Sequence, residues 1–146
     1  MIAVDTNILV YARRSELPHH RKARALLFAL AEGEARWALP WPCAYEFLKT
    51  VTHPRIFRRP SSLEDAMEDL ESLLDSPSLV MLGQGPSHRT HLRRVVLGGA
   101  AIGATVHDGH IAALALEHGV TELLTADRDF ARFPGLRVRN PFGPNG

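Results

Sequence analysis

The sequence predicts a single α/β domain, three layers deep, with a central parallel sheet of four or five strands between helices. Three observations predict it. Short apolar runs alternate with longer segments whose apolar residues recur at helical spacing. The 146 residues make one domain, and a composition of 45% hydrophobic and 23% charged residues supports a core without staples. Strands separated by helices pair in parallel through right-handed crossovers.

The elements follow in order. Ile2-Ala3-Val4 reads as a buried strand ending at Asp5, and Thr6 to Tyr11 as a helix. After Pro18, His20 to Leu30 places Ala23, Leu26, Leu27 and Leu30 on one stripe, with Gly33 as the stop. Trp37-Ala38-Leu39 is the second strand. Pro42 then suits a first helical turn, and that helix ends near Thr52 because the residue before Pro54 is held out of helical geometry. Pro54 to Pro60 is a basic loop. Ser61 with Glu64 has the spacing of a capping box, opening a helix with Leu63, Ala66, Met67, Leu70, Leu73 and Leu74 towards the core. Leu79 to Leu82 is the third strand, Pro86 to Leu97 a helix interrupted by Gly98-Gly99, and His107 to His118 a helix closed by Gly119 after the short run Ala104-Thr105-Val106. Glu122 to Thr125 and Leu136-Arg137-Val138 supply the last strands. The domain is expected over residues 1–140, with 141–146, rich in Pro and Gly, as a flexible tail.

Composition excludes several classes. With 17 basic and 16 acidic residues the net charge is +1, so neither a polybasic coat nor an acidic tail exists. The one cysteine, Cys43, forms no intramolecular disulfide, and no apolar stretch approaches the roughly 18 residues of a membrane span. A cytoplasmic protein without membrane partners or a secretory leader is expected. Gly-x-Ser-x-Gly, Walker and dinucleotide glycine patterns are all missing.

In parallel α/β sheets ligands gather beyond the carboxyl ends of the strands. Asp5 and Asp127 follow the first and fourth strands, Asp108 opens a helix, and Glu46 lies one turn into the helix after the second strand. Each has an ordinary structural role open to it: Asp5 and Asp108 as N-caps, Asp127 as a turn cap, Glu46 in a pair with Lys49. Together they are four carboxylates aimed at one edge, which repel unless a cation neutralises them. Hard oxygen donors select Mg²⁺ or Mn²⁺, and such a site serves phosphodiester chemistry.

Other candidates are weaker. His88/His91 and His107/His110 have a spacing two zinc ligands could use but lack cysteine partners; the first pair is expected on a helix surface, and His110 is a candidate to approach the site. Cys43 falls in a first helical turn, where a thiol pKa can fall, yet without a Cys-His-Asn pattern it belongs in the core or beside the site. Arg13, Arg14, Arg21, Lys22 and Arg24, then Arg55, Arg58 and Arg59, then Arg89, Arg93 and Arg94 form basic groups that would hold phosphates or face solvent. Trp37, Trp41 and Phe57 are expected in the core or at a dimer contact.

With these residues laid out, the chain resembles the PIN-domain ribonucleases, specifically the VapC-type toxins. The resemblance rests on Val4-Asp5-Thr6-Asn7-Ile8-Leu9-Val10-Tyr11, Glu46-Phe47-Leu48, Val51-Thr52-His53-Pro54, Asp108-Gly109-His110-Ile111-Ala112-Ala113-Leu114-Ala115 and Thr125-Ala126-Asp127-Arg128-Asp129-Phe130. The closing Arg132-Phe133-Pro134-Gly135-Leu136, followed by Asn140-Pro141, resembles a mycobacterial-style subgroup. It implies Asp5, Glu46, Asp108 and Asp127 as the metal-binding and catalytic acids, Asn7 and Thr125 as groups that position them or water, and Asp129 as a supporting acid. It implies RNA cleavage with Mg²⁺ or Mn²⁺, a homodimer, and inhibition by a cognate antitoxin. Gly109 departs from the Ala common in relatives, a tolerable change in a first turn. Two other readings stand beside it: a haloacid-dehalogenase-like phosphatase using Asp5 as nucleophile, against which Asn7 replaces the usual second acid, and a non-catalytic PIN-like binding module.

Overall fold

A computed structural model describes residues 1–143. Five parallel strands form one sheet: β1 (Ile2–Val4), β2 (Trp37–Pro40), β3 (Leu79–Leu82), β4 (Glu122–Leu124) and β5 (Arg137–Arg139), in the order β3-β2-β1-β4-β5. The helices are α1 (Thr6–Arg13), α2 (His20–Glu32), α3 (Trp41–Val51), α4 (Leu63–Leu74), α5 (His88–Gly98) and α6 (Thr105–Glu117), with a 3₁₀ turn over Arg128–Arg132. The chain winds outward from β1 to β3, then returns to the other side of β1 for β4 and β5. The order therefore reverses between β1 and β4, where Ile2 stands in register with Trp37 on one side and Glu122 on the other. A reversal of this kind opens a crevice at the carboxyl edge.

Trp37, Ile8, Leu39, Leu82, Leu123, Phe130 and Phe133 are among the fully buried side chains of the core. Helix α6 explains its own burial: Gly109 and Ile111 to Ala115 are small or apolar on every side, so it packs between sheet and α5 rather than on the surface. Gly98 and Gly99 do not break α5 early. A Cβ on Gly99 would lie 2.5 Å from Phe133 Cδ1, and one on Gly98 2.9 Å from Pro134 Cγ, so the pair makes room for the Phe133-Pro134 segment.

Several element ends differ from expectation. Helix α1 continues past Tyr11 to Arg13, whose guanidinium pairs with Asp69 on α4 at 2.9 Å, and it closes where Arg14 N donates to Val10 O. Ala104-Thr105-Val106 is not an extended run; Thr105 and Val106 form the first turn of α6, and the Thr105 hydroxyl donates to Ile102 O (2.8 Å) to close the preceding turn. The N-cap of α4 is Ser62 rather than Ser61: Ser62 Oγ accepts from Asp65 N at 3.0 Å, while Ser61 is buried and accepts from Arg14 Nη1 at 3.1 Å. Strand β4 stops at Leu124, and β5 starts one residue late at Arg137. Phe142, expected in the tail, stacks on His19 and meets Tyr11 edge-on; residues 144–146 of that tail lie outside the described residues. Among the described residues no helix is long and apolar enough to cross a membrane.

Candidate active site

The end of β1 delivers the central acid. Asp5 N donates to Leu124 O across the β1–β4 junction, which fixes its backbone and directs the side chain into the crevice. Asp5 is only 4% exposed. Its Oδ1 accepts from Thr6 N (2.7 Å), and its Oδ2 from Asn7 Nδ2 (2.8 Å) and the Thr125 hydroxyl (2.7 Å). All of these donors are neutral. Burial pushes the carboxyl up to about 6, with Glu46 and Asp108 adding like-charge repulsion against the hydrogen bonds from Thr125 and Thr6. Cys43 belongs to this floor: it is buried, its thiol donates to Asp5 Oδ1 at 3.8 Å, and burial pushes its pKa well up, not down.

Asn7 and Thr125 hold Asp5 in one orientation. Besides donating to Asp5, the Thr125 hydroxyl accepts from Asn7 Nδ2 (2.8 Å) and Asp127 N (3.0 Å), while Asn7 Oδ1 accepts from Ala126 N (3.1 Å). The loop after β4 is thereby tied to the start of α1, and Asp127 arrives at the same opening.

Asp5, Thr6, Asn7, Glu46, Asp108 and Asp127 share one cavity of about 370 Å³. The structure thus brings all four sequence-predicted acids together. Asp5 does cap α1, and Asp127 Oδ1 caps the 3₁₀ turn by accepting from Asp129 N at 2.8 Å. Asp108 does not cap: the N-cap of α6 is Ala104, and among the described residues Asp108 makes no hydrogen bond or ion pair. Burial raises its pKa, helped by the charges of Asp127, Glu46 and Asp129. Asp129 is exposed on the 3₁₀ turn and is not among the residues lining the cavity. Glu46 accepts from the Thr6 hydroxyl (3.0 Å) and has Lys49 Nζ at 3.6 Å, an exposed pair that contributes little.

The sequence singled out His107 only for its spacing with His110, not for the acid site. His107 Nε2 lies 3.3 Å from Glu46 Oε2, at the rim of the site, whereas His110 packs against His88, ring centroids 5.2 Å apart. Helical geometry carries the signal: at about 100° per residue His110 is roughly 200° around α6 from Asp108, while His107 is its neighbour. His88, expected on the surface, is 8% exposed because its Nδ1 meets Glu117 Oε2 at 3.0 Å. Two of the basic residues are likewise spoken for. Arg13 pairs with Asp69 and Asp65; Arg14 is buried beneath Phe57, bound to Glu16, Ser61 and the Arg59 carbonyl. Neither is free for phosphate.

The donor set fits a hard divalent cation: every wall group that carries charge is a carboxylate, and the most buried one has no cation of its own. Among the described residues no three such groups already stand at coordinating distance of one point. Carboxylates without a counterion repel and sit apart, and Mg²⁺ commonly reaches its ligands partly through water.

Residues 2–136 match the PIN domain family. A VapC ribonuclease of Mycobacterium bovis is 40% identical over 141 residues, covering 97% of this chain and 95% of the relative. Ribonuclease VapC48 of Mycobacterium tuberculosis is 34% identical, covering 94% and 95%. The fold matches VapBC2 of Rickettsia felis, solved bound to a DNA fragment from its promoter, with a TM-score of 0.70, 22% identity and coverage of 96% and 98%. It also matches Mycobacterium tuberculosis VapC20, described as a sarcin–ricin-loop-cleaving toxin, with a TM-score of 0.66, 14% identity and coverage of 90% and 93%. A strand-order reversal lined by carboxylates, a match spanning nearly the whole chain, and relatives aligned end to end agree: the chain belongs to the PIN domain family, among the VapC ribonucleases.

Proposed function

We propose that this protein is the toxin of a type II toxin–antitoxin pair, an endoribonuclease that hydrolyses RNA phosphodiester bonds with Mg²⁺ or Mn²⁺ held by Asp5, Glu46, Asp108 and Asp127. The observation that carries the proposal is Asp5: a buried carboxylate surrounded by neutral donors and further carboxylates. A divalent ion held by these four carboxylates would supply positive charge against the scissile phosphate and would lower the pKa of the attacking water.

The chain's own residues do the rest. Thr6 N, Asn7 and Thr125 fix both Asp5 oxygens, so its position needs no reorganisation when substrate arrives. Asp108, which has no hydrogen-bond or ion-pair partner among the described residues, keeps its oxygens available. Glu46 stands opposite on α3, held by Thr6 with His107 alongside. Water attacking phosphorus, with the P–O3′ bond breaking and the 3′-oxygen leaving as the hydroxyl, gives a 5′-phosphate and a 3′-hydroxyl. RNA in the cytoplasm is the substrate. The relatives' names as VapC ribonucleases and the solved VapBC complexes support a cognate antitoxin. Large apolar side chains on the surface, Trp41 stacked on Tyr45 among them, support a homodimer.

The test is cleavage of total RNA by wild type and Asp5→Asn, with and without chelator, with fragment ends mapped. Chelator-sensitive fragments bearing 5′-phosphates, lost in the variant, are expected. A 2′,3′-cyclic phosphate product, or cleavage indifferent to chelator, contradicts the mechanism.

A further inference from the structure

The cavity that holds the acids has a second wall of different chemistry. Val10, Tyr11, Leu17, Ile56 and Phe57 line its other side, and none carries a charge. Ile56 is 54% exposed, so its side chain is open to a ligand in the cavity. The wall is held firmly. Phe57 lies against the Arg14 guanidinium, 4.2 Å from carbon to ring centroid, and Arg14 Nη2 donates to Arg59 O at 2.7 Å, which clamps the 56–59 segment to the end of α1. Tyr11 is braced edge-on by His19 and Phe142, ring centroids 5.2 and 5.4 Å away.

A preformed apolar surface sharing one cavity with phosphate-directed carboxylates matches the two halves of a nucleotide. A phosphodiester presented to the acids carries a nucleoside on each side, and each base has a flat apolar face. We propose that Tyr11, Leu17, Ile56 and Phe57 form a nucleobase subsite for a nucleotide flanking the scissile phosphate; the proposal rests on the nuclease reading above. Tyr11 is the one wall residue of these four with a polar group, so the subsite supplies contact area more than hydrogen-bond readout. It tolerates any base and rejects a missing one, as stacking platforms do.

The experiment is a four-way cycle on the full chain. Wild type and Ile56→Ala are each offered a short single-stranded oligoribonucleotide, either intact or abasic at one nucleotide beside the mapped cut. Cleavage is read as kcat/KM with Mg²⁺, and binding as Kd by fluorescence anisotropy with Ca²⁺. Removing the base is expected to weaken the wild type about tenfold and Ile56→Ala less than about threefold, in line with stacking energies of other single-strand binders. Ile56 is exposed, so the variant's fold is not at stake, and a merely structural effect would weaken both oligonucleotides equally. Equal penalties in the two proteins, at abasic positions on either side of the cut, overturn the subsite, as does intact RNA binding that ignores Ile56→Ala, which would assign the wall to a protein segment instead. If no RNA is cleaved, the abasic position is instead moved along the oligonucleotide; a Kd penalty that Ile56→Ala loses then keeps a base-binding wall while the nuclease reading falls.

Discussion

Two buried carboxylates stand near opposite edges of the same sheet, and the chain treats them differently. Glu122 opens β4 and is 8% exposed; Arg139 Nε lies 2.6 Å and Arg137 Nε 3.1 Å from its oxygens, both from the neighbouring strand β5. Asp5, just beyond β1, is 4% exposed and has only neutral hydrogen-bond donors, with Glu46 and Asp108 as its charged neighbours. Where a buried charge serves structure, the fold supplies guanidinium groups. At the other edge it supplies more negative charge, an arrangement that makes sense once a divalent cation completes it.

The largest effect that tests this contrast is on catalysis. Asp5→Asn should lower RNA cleavage by at least about 100-fold while leaving metal-free stability equal or higher, because a repelled charge is removed. Initial rates and denaturant unfolding in chelator check both halves; a clear loss of metal-free stability would instead make the Asp5 carboxylate chiefly the acceptor that anchors Asn7 and Thr125.

Next comes pH. Folded Asp5 keeps its proton up to about pH 6, whereas the unfolded chain gives it up near 3.8. Between these values the folded state binds more protons, so stability falls as pH rises through this window and is greatest at its acid end. Through this group alone the metal-free protein should lose roughly 2 kcal/mol from about pH 4 to pH 7. Unfolding curves in chelator should show this slope in wild type, and Asp5→Asn should flatten it.

At the opposite edge, Glu122→Gln should cost roughly 1–3 kcal/mol through weakened charge-assisted bonds, yet leave metal-dependent cleavage intact at permissive temperature. Thr125→Val, which keeps the shape but removes the hydroxyl that holds Asp5, should weaken Mn²⁺ affinity about 10- to 100-fold, measurable by calorimetry. The smallest effect lies away from both edges: Ser62→Ala should cost about 1 kcal/mol in thermal unfolding by removing the α4 cap.

Much of this was legible in the sequence, for a definable reason. Apolar runs and helical stripes are local, so the strands and helices could be read; Asp5 and Asp127 followed from standing just past strand ends, Glu46 from lying one turn into α3, and Asp108 from its place in the first turn of α6. What failed was decided by residues far along the chain. Ser61 and Ser62 are equivalent caps locally; Arg14, 47 residues earlier, claims Ser61 and leaves Ser62 for α4. Arg14 itself reads as a solvated basic residue until Phe57 and Arg59 fold over it. His88 is drawn inward by Glu117, 29 residues later. His107 was legible but overlooked: its azimuth on α6, not its distance along the chain from Asp108, places it beside Glu46.

The most direct measurement is the thermal midpoint of wild type and Asp5→Asn during titration with Mn²⁺, since an ion that binds the folded state alone raises it. A saturable rise in wild type that is largely lost in Asp5→Asn is the predicted result. No rise in either protein, or the same rise in both, would contradict a divalent ion at Asp5.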